Sequence, residues 1–196
     1  MRLRVPLPDP TVPGSTERPL QEAELVSILR NVTGGDLGSL ALCAGVVLSA
    51  VAGAPALAER LRTGSDREAA AIVDELLRID SPFVSNRRVA TCPVTLAGQE
   101  IGAGERVVLH WTSANRDERC FGDPERRDPE GHAAANLVYG IGRHVCPGRP
   151  LATLELVVMV QEVLRAADLH AAPTRGEREV DPVGGWAQAP VVLTPR

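Results

Sequence analysis

From residue 20 onward, apolar side chains recur at helical spacing: Leu25, Ile28, Leu29 and Val32, then Leu40, Val47 and Val51. Residues three and four apart share a helix face, so the pattern predicts a long helix. Its middle is broken by Thr33-Gly34-Gly35-Asp36-Leu37-Gly38-Ser39. Each interior glycine costs a helix about 1 kcal/mol relative to alanine, and such a cluster points to a groove where something approaches the backbone. A second helix is predicted from about Asp66 to Arg78, with Ile72, Val73, Leu76 and Leu77 on its apolar side. Between Pro82 and Leu109 the pattern turns strand-like, as Arg88-Val89-Ala90-Thr91, Val94-Thr95-Leu96 and Arg106-Val107-Val108-Leu109, with turns at Gly98 and Gly102-Ala103-Gly104. A last helix spans about 149 to 167, and the apolar runs after it, split by Gly184-Gly185 and Pro190, predict a terminal hairpin. Residues 1 to 19 hold five prolines and read as an extended lead-in.

Composition changes this picture little. The chain has 196 residues and a net charge of −4, enough for one domain with a core and nothing that suggests nucleic-acid binding. From Leu37 to Ala58 no charge occurs, long enough to raise a membrane span. Gly38, Gly45, Gly53 and Pro55 interrupt that run, and a helix apolar on all sides also describes a central buried helix, the reading adopted here: no membrane. The four cysteines, Cys43, Cys92, Cys120 and Cys146, are widely spaced, which fits a reducing cytoplasm. No signal peptide is visible at Met1.

The stretch with the most chemistry is Tyr139-Gly140-Ile141-Gly142-Arg143-His144-Val145-Cys146-Pro147-Gly148-Arg149-Pro150-Leu151-Ala152. Glycines at 140, 142 and 148 suit a loop pressed against a flat ligand, and Pro150 fits the first turn of the helix that follows. Cys146 therefore sits just ahead of a helix N-terminus, where the dipole, Arg143 and Arg149 favour a thiolate, a good metal ligand. A buried structural cysteine after a glycine turn, and a zinc site from His144 and Cys146, are the plainer alternatives.

Gly-x-Gly-x-His-x-Cys-x-Gly-x-x-Leu-Ala resembles the haem-binding loop of the cytochrome P-450 family, bacterial soluble type, with Tyr139 where that family usually has Phe. The resemblance implies a mainly α fold with small antiparallel β-sheets, built on a central long helix, a Glu-x-x-Arg helix, the cysteine loop and the helix after it. It implies haem as cofactor, Cys146 as axial ligand of the iron, and Gly140 and Gly142 as loop glycines. Arg88 and His144 are implied as propionate partners. It assigns Glu75, Arg78 and Arg126 to a structural cluster that locks the cysteine loop to the core. Thr33 to Leu37 is similar to the family's oxygen-side helix motif, with Asp36 at the position of a proton-relay acid. Leu37 stands where the family has an alcohol; Ser39 lies on nearly the opposite face, so Thr33 is the nearer hydroxyl. Val183 and Trp186 fall on the turn that lines the family's substrate pocket. His110, His132 and His170 lie in polar or loop contexts and are expected at the surface.

The resemblance runs from about residue 20 to the C-terminus, a single haem-thiolate domain over 20–196, but covers only the C-terminal half of a usual member. The function it implies is insertion of one oxygen atom of O2 into a small organic substrate. Electrons would come from a separate ferredoxin or flavoprotein reductase, with Arg143 and Arg149 meeting an acidic partner. The alternative is a truncated, non-catalytic haem-binding or partner-binding remnant, or one half of a split enzyme. Bare apolar surface on the central helix would then call for self-association or a complementary chain.

Overall fold

A computed structural model describes residues 4–5, 17–180 and 183–196, and the side chains of Arg4, Val5 and Asp36 lie outside that description. The chain forms two units, Met1–Ser39 and Leu40–Arg196. The expected lead-in falls mostly outside the described residues.

In the first unit, strands β1 (Arg4–Val5) and β2 (Arg18–Pro19) pair antiparallel, Arg4 opposite Pro19. Helix α1 (Glu22–Thr33) starts where Glu24 accepts from the Gln21 N–H at 2.8 Å, which satisfies a backbone donor that the helix leaves unpaired. Arg18 also donates to Glu24 and, as the largest cause, pulls its carboxyl down to about 2. At Gly34 the winding loosens into a π-helical segment, Gly34–Ser39, over the glycine-rich stretch. A Cβ added at Gly34, Gly35 or Gly38 would meet nothing within 4 Å, so these glycines border open space.

The second unit is built on four helices: α2 (Leu40–Ala52), α3 (Pro55–Thr63), α4 (Asp66–Ile79) and α7 (Arg149–Ala166). Val46, Val47 and Val51 of α2, Leu61 of α3, Ile72, Val73 and Leu77 of α4, and Leu156, Val160 and Leu164 of α7 are fully enclosed. Each such side chain contributes about 1.5–3 kcal/mol relative to remaining in water. The stretch Glu22–Ala52 is, by length and composition, long and apolar enough to cross a membrane. Its α2 portion nevertheless packs on α3, α4 and α7 as a core helix does.

Helix α3 was not expected from the pattern, because Pro55 reads as a breaker. Proline is tolerated at the first helical position, and here Pro55 opens the helix. Helix α4 is capped by Ser65, whose hydroxyl accepts from the Glu68 N–H, and Pro150 lies in the first turn of α7.

The strands form small two-stranded antiparallel sheets. β3 (Ser85–Val89) pairs with β6 (Arg106–His110), Ser85 opposite His110. β4 (Val94–Leu96) and β5 (Gln99–Ile101) make a hairpin whose turn residues Ala97 and Gly98 both take positive φ, as a tight hairpin turn requires. Short helices α5 (Trp111–Ala114) and α6 (Glu118–Phe121) follow. The C-terminus is more elaborate than one hairpin. β7 (Ala167–Ala171) pairs with β10 (Val191–Pro195), and β8 (Glu177–Arg178) pairs with β9 (Trp186–Gln188) between them in sequence. The class is therefore mainly α with small antiparallel sheets.

Candidate functional site

Helix α4 turns two charged side chains into the core. Glu75 is 3% exposed and Arg78 is 0% exposed. The Arg78 guanidinium donates twice to Glu75, Nε to Oε2 at 2.7 Å and Nη2 to Oε1 at 2.8 Å, the forked pairing that suits a carboxylate. Its remaining donors reach the carbonyls of Asn115 at 2.6 Å and Pro124 at 2.8 Å, and the group lies over the Phe121 ring. Glu75 Oε1 also accepts from the Asp128 N–H at 3.0 Å and contacts His132 Nδ1 at 2.8 Å. Burial pushes the Glu75 carboxyl up; Arg78, the Asp128 N–H and His132 together outweigh it and hold it below the usual glutamate range. An ionised carboxylate only accepts, so the contact with His132 places the ring proton on Nδ1.

Two expectations are corrected here. Arg126 does not join the cluster: its side chain is 67% exposed and pairs with Asp128, because the segment after Pro124 turns it outward. His132 is not a surface residue. It is 7% exposed, bonded to Glu75, and edge-on to the Phe121 ring at 5.2 Å. His110 and His170 are exposed. No local pattern marks His132 as inward: it stands between Gly131 and three alanines, with no apolar periodicity around it.

Asn115 belongs to the same buried cluster, and no sequence pattern marks it. It is fully buried, its carbonyl accepts from Arg78, and its Oδ1 accepts from the Leu137 N–H at 2.8 Å. From there the connection runs along the chain toward the cysteine. The Gly140 N–H donates to the Leu137 carbonyl at 2.8 Å, and the Cys146 N–H to the Tyr139 carbonyl at 2.9 Å. Gly140 and Gly142 take φ of +74° and +72°, which is why these turns need glycine. Residues Gly142–His144 form a single 3₁₀ turn.

The cysteine loop has a second tether. Asp74 of α4 accepts from Arg149 at 2.8 Å and from the Thr153 hydroxyl, which also bonds the Tyr139 hydroxyl at 3.0 Å. Arg149 lies over the Tyr139 ring at 5.1 Å. Burial raises Asp74 above the usual aspartate range, partly offset by Arg149 and Thr153, and burial pushes the Tyr139 phenol up to about 12. The guanidinium of Arg149 is thus directed at Asp74. Tyr139, in place of the family's usual Phe, adds a polar link from loop to helix.

Residues 141 to 150, Cys146 included, are exposed. Ile141, Val145 and Leu151 form an exposed apolar rim along the same loop and the start of α7. Arg88, on β3, and His144 are exposed, and among the described residues neither has a carboxylate partner. Thr33 is exposed at the end of α1, and Leu37 is exposed in the π-helical segment; the Asp36 side chain lies outside the described residues. Val183 forms a bridge with Phe83, and the Trp186 ring stacks under Arg178 at 4.4 Å. Among the described residues no group of three or more His, Cys, Asp or Glu is placed to hold a metal ion. An open soft sulfur donor, an apolar rim and two exposed nitrogen donors without carboxylate partners among the described residues are a set that fits haem, a flat apolar iron porphyrin with two carboxylate arms.

The family model for cytochrome P-450 matches residues 69–192, which takes in α4 from Ala69 onward, the cluster around Glu75 and the cysteine loop. The chain belongs to the cytochrome P-450 family. A curated relative, the steroid C26-monooxygenase of Mycolicibacterium smegmatis, is 39% identical over 130 residues, covering 63% of this chain and 31% of that one. CYP109E1 from Bacillus megaterium, solved in complex with corticosterone, matches with a TM-score of 0.79 at 27% identity, over 89% of this chain and 48% of that one. CYP109Q5 from Chondromyces apiculatus matches with a TM-score of 0.82 at 26% identity, over 94% and 47%. The chain thus spans about half the length of these solved relatives and under a third of the curated one.

Proposed function

We propose that this chain binds haem through the Cys146 thiolate and serves oxidation of a small, apolar organic molecule. The observation that carries the reading is the exposed sulfur of Cys146 in a loop shaped by two positive-φ glycines, within the segment matched by the family model. Haem ligated by a cysteine thiolate supplies activation of dioxygen, with one oxygen atom passing to the substrate. Arg88 and His144 hold its carboxylate arms, and Gly140 and Gly142 let the backbone lie flat beside it. Glu75 and Arg78 fix the loop from below. The resemblance assigns proton relay to Asp36, with Thr33 as the candidate hydroxyl, since Leu37 has none to give.

Electrons come from a ferredoxin or flavoprotein reductase of acidic surface, which Arg143, exposed and without an acidic partner among the described residues, would meet. The names of the relatives, a steroid monooxygenase and a protein solved with corticosterone, support a lipophilic substrate. Free cysteines at 43, 92, 120 and 146 support a reducing cytoplasm.

A second reading, a haem-binding or partner-binding protein without turnover, is favoured by Leu37, which has no hydroxyl where the family has an alcohol. In that reading a second copy or a complementary chain covers the exposed apolar side chains. The test is the reduced, carbon monoxide-bound spectrum of the protein offered haemin. A thiolate-type Soret band is expected, lost in Cys146→Ala and kept in Cys43→Ala. A wild-type protein that stays colourless sinks the proposal. Turnover with a ferredoxin–reductase pair, or with peroxide, separates the two readings.

A further inference from the structure

The β8–β9 ribbon is too short to hold itself in place. β8 has two residues and β9 three, none of them fully buried, and an isolated two-stranded ribbon is marginal in water. Docking fixes it instead. Trp186 lies against α2, where a Cβ at Gly45 would stand 3.6 Å from the Trp186 Cβ, and a Cβ at Gly185 would come within 3.5 Å of Val46. At Gly184 a Cβ would be 2.5 Å from the Ser81 carbonyl, so only glycine lets the chain pass, and the Gly184 N–H donates to the Pro82 carbonyl at 2.8 Å. On the solvent side Arg178 closes the arrangement. Its Nη1 donates to Asp80 Oδ2 at 2.8 Å, its Nη2 donates to Oδ1, and its guanidinium stacks on the Trp186 ring at 4.4 Å.

We infer that β8–β9 is a strap over α2, clipped by Arg178, Asp80 and Trp186, which lifts with the helical core intact and admits a small apolar molecule to the face formed by Leu42, Gly45 and Val46. The two attachments differ in kind. Beneath the strap are close apolar contacts, whereas at its rim is one forked ion pair, with side-chain exposures of 47% for Arg178 and 34% for Asp80, which water readily replaces. The base stays in place, because β7 and β10 pair along their whole length, Ala167 with Pro195 through Ala171 with Val191. An element with few enclosed side chains opens more readily than a helical core. The nature of what enters rests on the proposed apolar substrate, but the test needs no haem.

The experiment uses haem-free protein. Asp80→Asn removes the charge at nearly constant shape, and Arg178→Gln removes the fork and the stack. Amide hydrogen exchange is read at Gly184 and Glu179, whose N–H groups donate to the Pro82 and Gly185 carbonyls, and at Val73 and Val160 in the core. Each single variant should speed exchange at the strap about fivefold, the range of a partly exposed ion pair with a stacked ring. The double variant should match either single one rather than their product, since the two side chains act through each other. The core amides should not move. N-ethylmaleimide labelling of the thiol introduced by Val46→Cys, located by peptide mass, should quicken by the same factor when Asp80→Asn is added.

Unchanged exchange at the strap would overturn the inference, as would strap and core amides moving together. Faster strap exchange with constant labelling at position 46 would overturn it too, because the face of α2 would remain covered. Should Val46→Cys not fold, acrylamide quenching of Trp186 takes its place, with Trp111→Phe removing the second of the two indoles; quenching must then rise in Asp80→Asn, and constant quenching ends the proposal. A protein that gives these responses and binds no haemin would sink the functional reading alone and leave the strap standing.

Discussion

Two parts of the second unit handle polarity in opposite ways. Around Glu75 the charged groups are enclosed, and the Arg78 guanidinium spends its donors on a carboxylate and two carbonyls. Along 141–150 every residue is exposed, and the loop is held mainly by its own backbone bonds and two glycines in the left-handed region. The first arrangement is expensive to disturb and chemically quiet. The second is cheap to alter and leaves a sulfur open to a ligand. A reactive loop is best displayed on a scaffold that cannot move, and here the scaffold is polar as well as apolar.

The sharpest way to break the contrast is Arg78→Ala. It leaves Glu75 buried without its cation and strips the Asn115 and Pro124 carbonyls of a donor. Removing one partner of a buried pair costs about 3–5 kcal/mol, much of the stability of an ordinary domain. Urea unfolding should show a protein that is marginal or unfolded at room temperature. A loss below about 1 kcal/mol would mean the cluster is not the scaffold.

Acid should act on the same cluster. The folded Glu75 carboxyl binds its proton less tightly than the unfolded chain does, because Arg78 and its companions outweigh burial. Its contribution is therefore complete above the ordinary glutamate value, about 4.3, and is lost as pH falls through the lower folded value. Asp74, raised by burial, has the opposite sign and favours the folded state as pH drops. Stability measured from pH 7 downward should first hold and then fall, and Glu75→Gln should flatten the fall.

How much of this could be read in advance differs between the two parts. The cysteine loop was legible because its glycines, cysteine and proline each answer a local backbone demand within thirteen consecutive positions. Helices α4 and α7 were legible from apolar spacing. The cluster was legible only in half. Glu75 and Arg78 share a helix face by arithmetic, but their third partner comes from 57 residues away, and nothing local marks His132 as inward. Arg126 misled for the same reason: a guanidinium near the expected place in sequence was turned outward by a bend that no periodicity records. Helix α3, and the pairing of β7 with β10 across the nested β8–β9 pair, are likewise settled by tertiary contacts.

A smaller effect is expected where the loop meets the scaffold. Tyr139→Phe restores the family's usual residue and deletes only the hydroxyl that bonds Thr153. The loss should be about 1 kcal/mol, the net value of one neutral hydrogen bond, with the Thr153 hydroxyl still facing Asp74. Haem uptake by the variant should match the wild type. A cost of several kcal/mol would show that the tether through Asp74 matters as much as the one through Glu75.

The smallest effect separates position in sequence from position in space. Arg126 pairs with Asp128 at 2.6 Å, but the guanidinium is mostly in water, where an ion pair typically contributes between 0 and about 1 kcal/mol. Asp128 touches the cluster through its backbone N–H, which Arg126→Ala leaves in place. That variant should unfold within about 0.5 kcal/mol of the wild type, with its acid profile nearly unchanged, because Glu75 keeps Arg78, His132 and the Asp128 amide. A loss approaching that of Arg78→Ala would place Arg126 inside the cluster after all and unseat His132, since Glu75 Oε1 already accepts from Arg78 Nη2, the Asp128 N–H and His132 Nδ1.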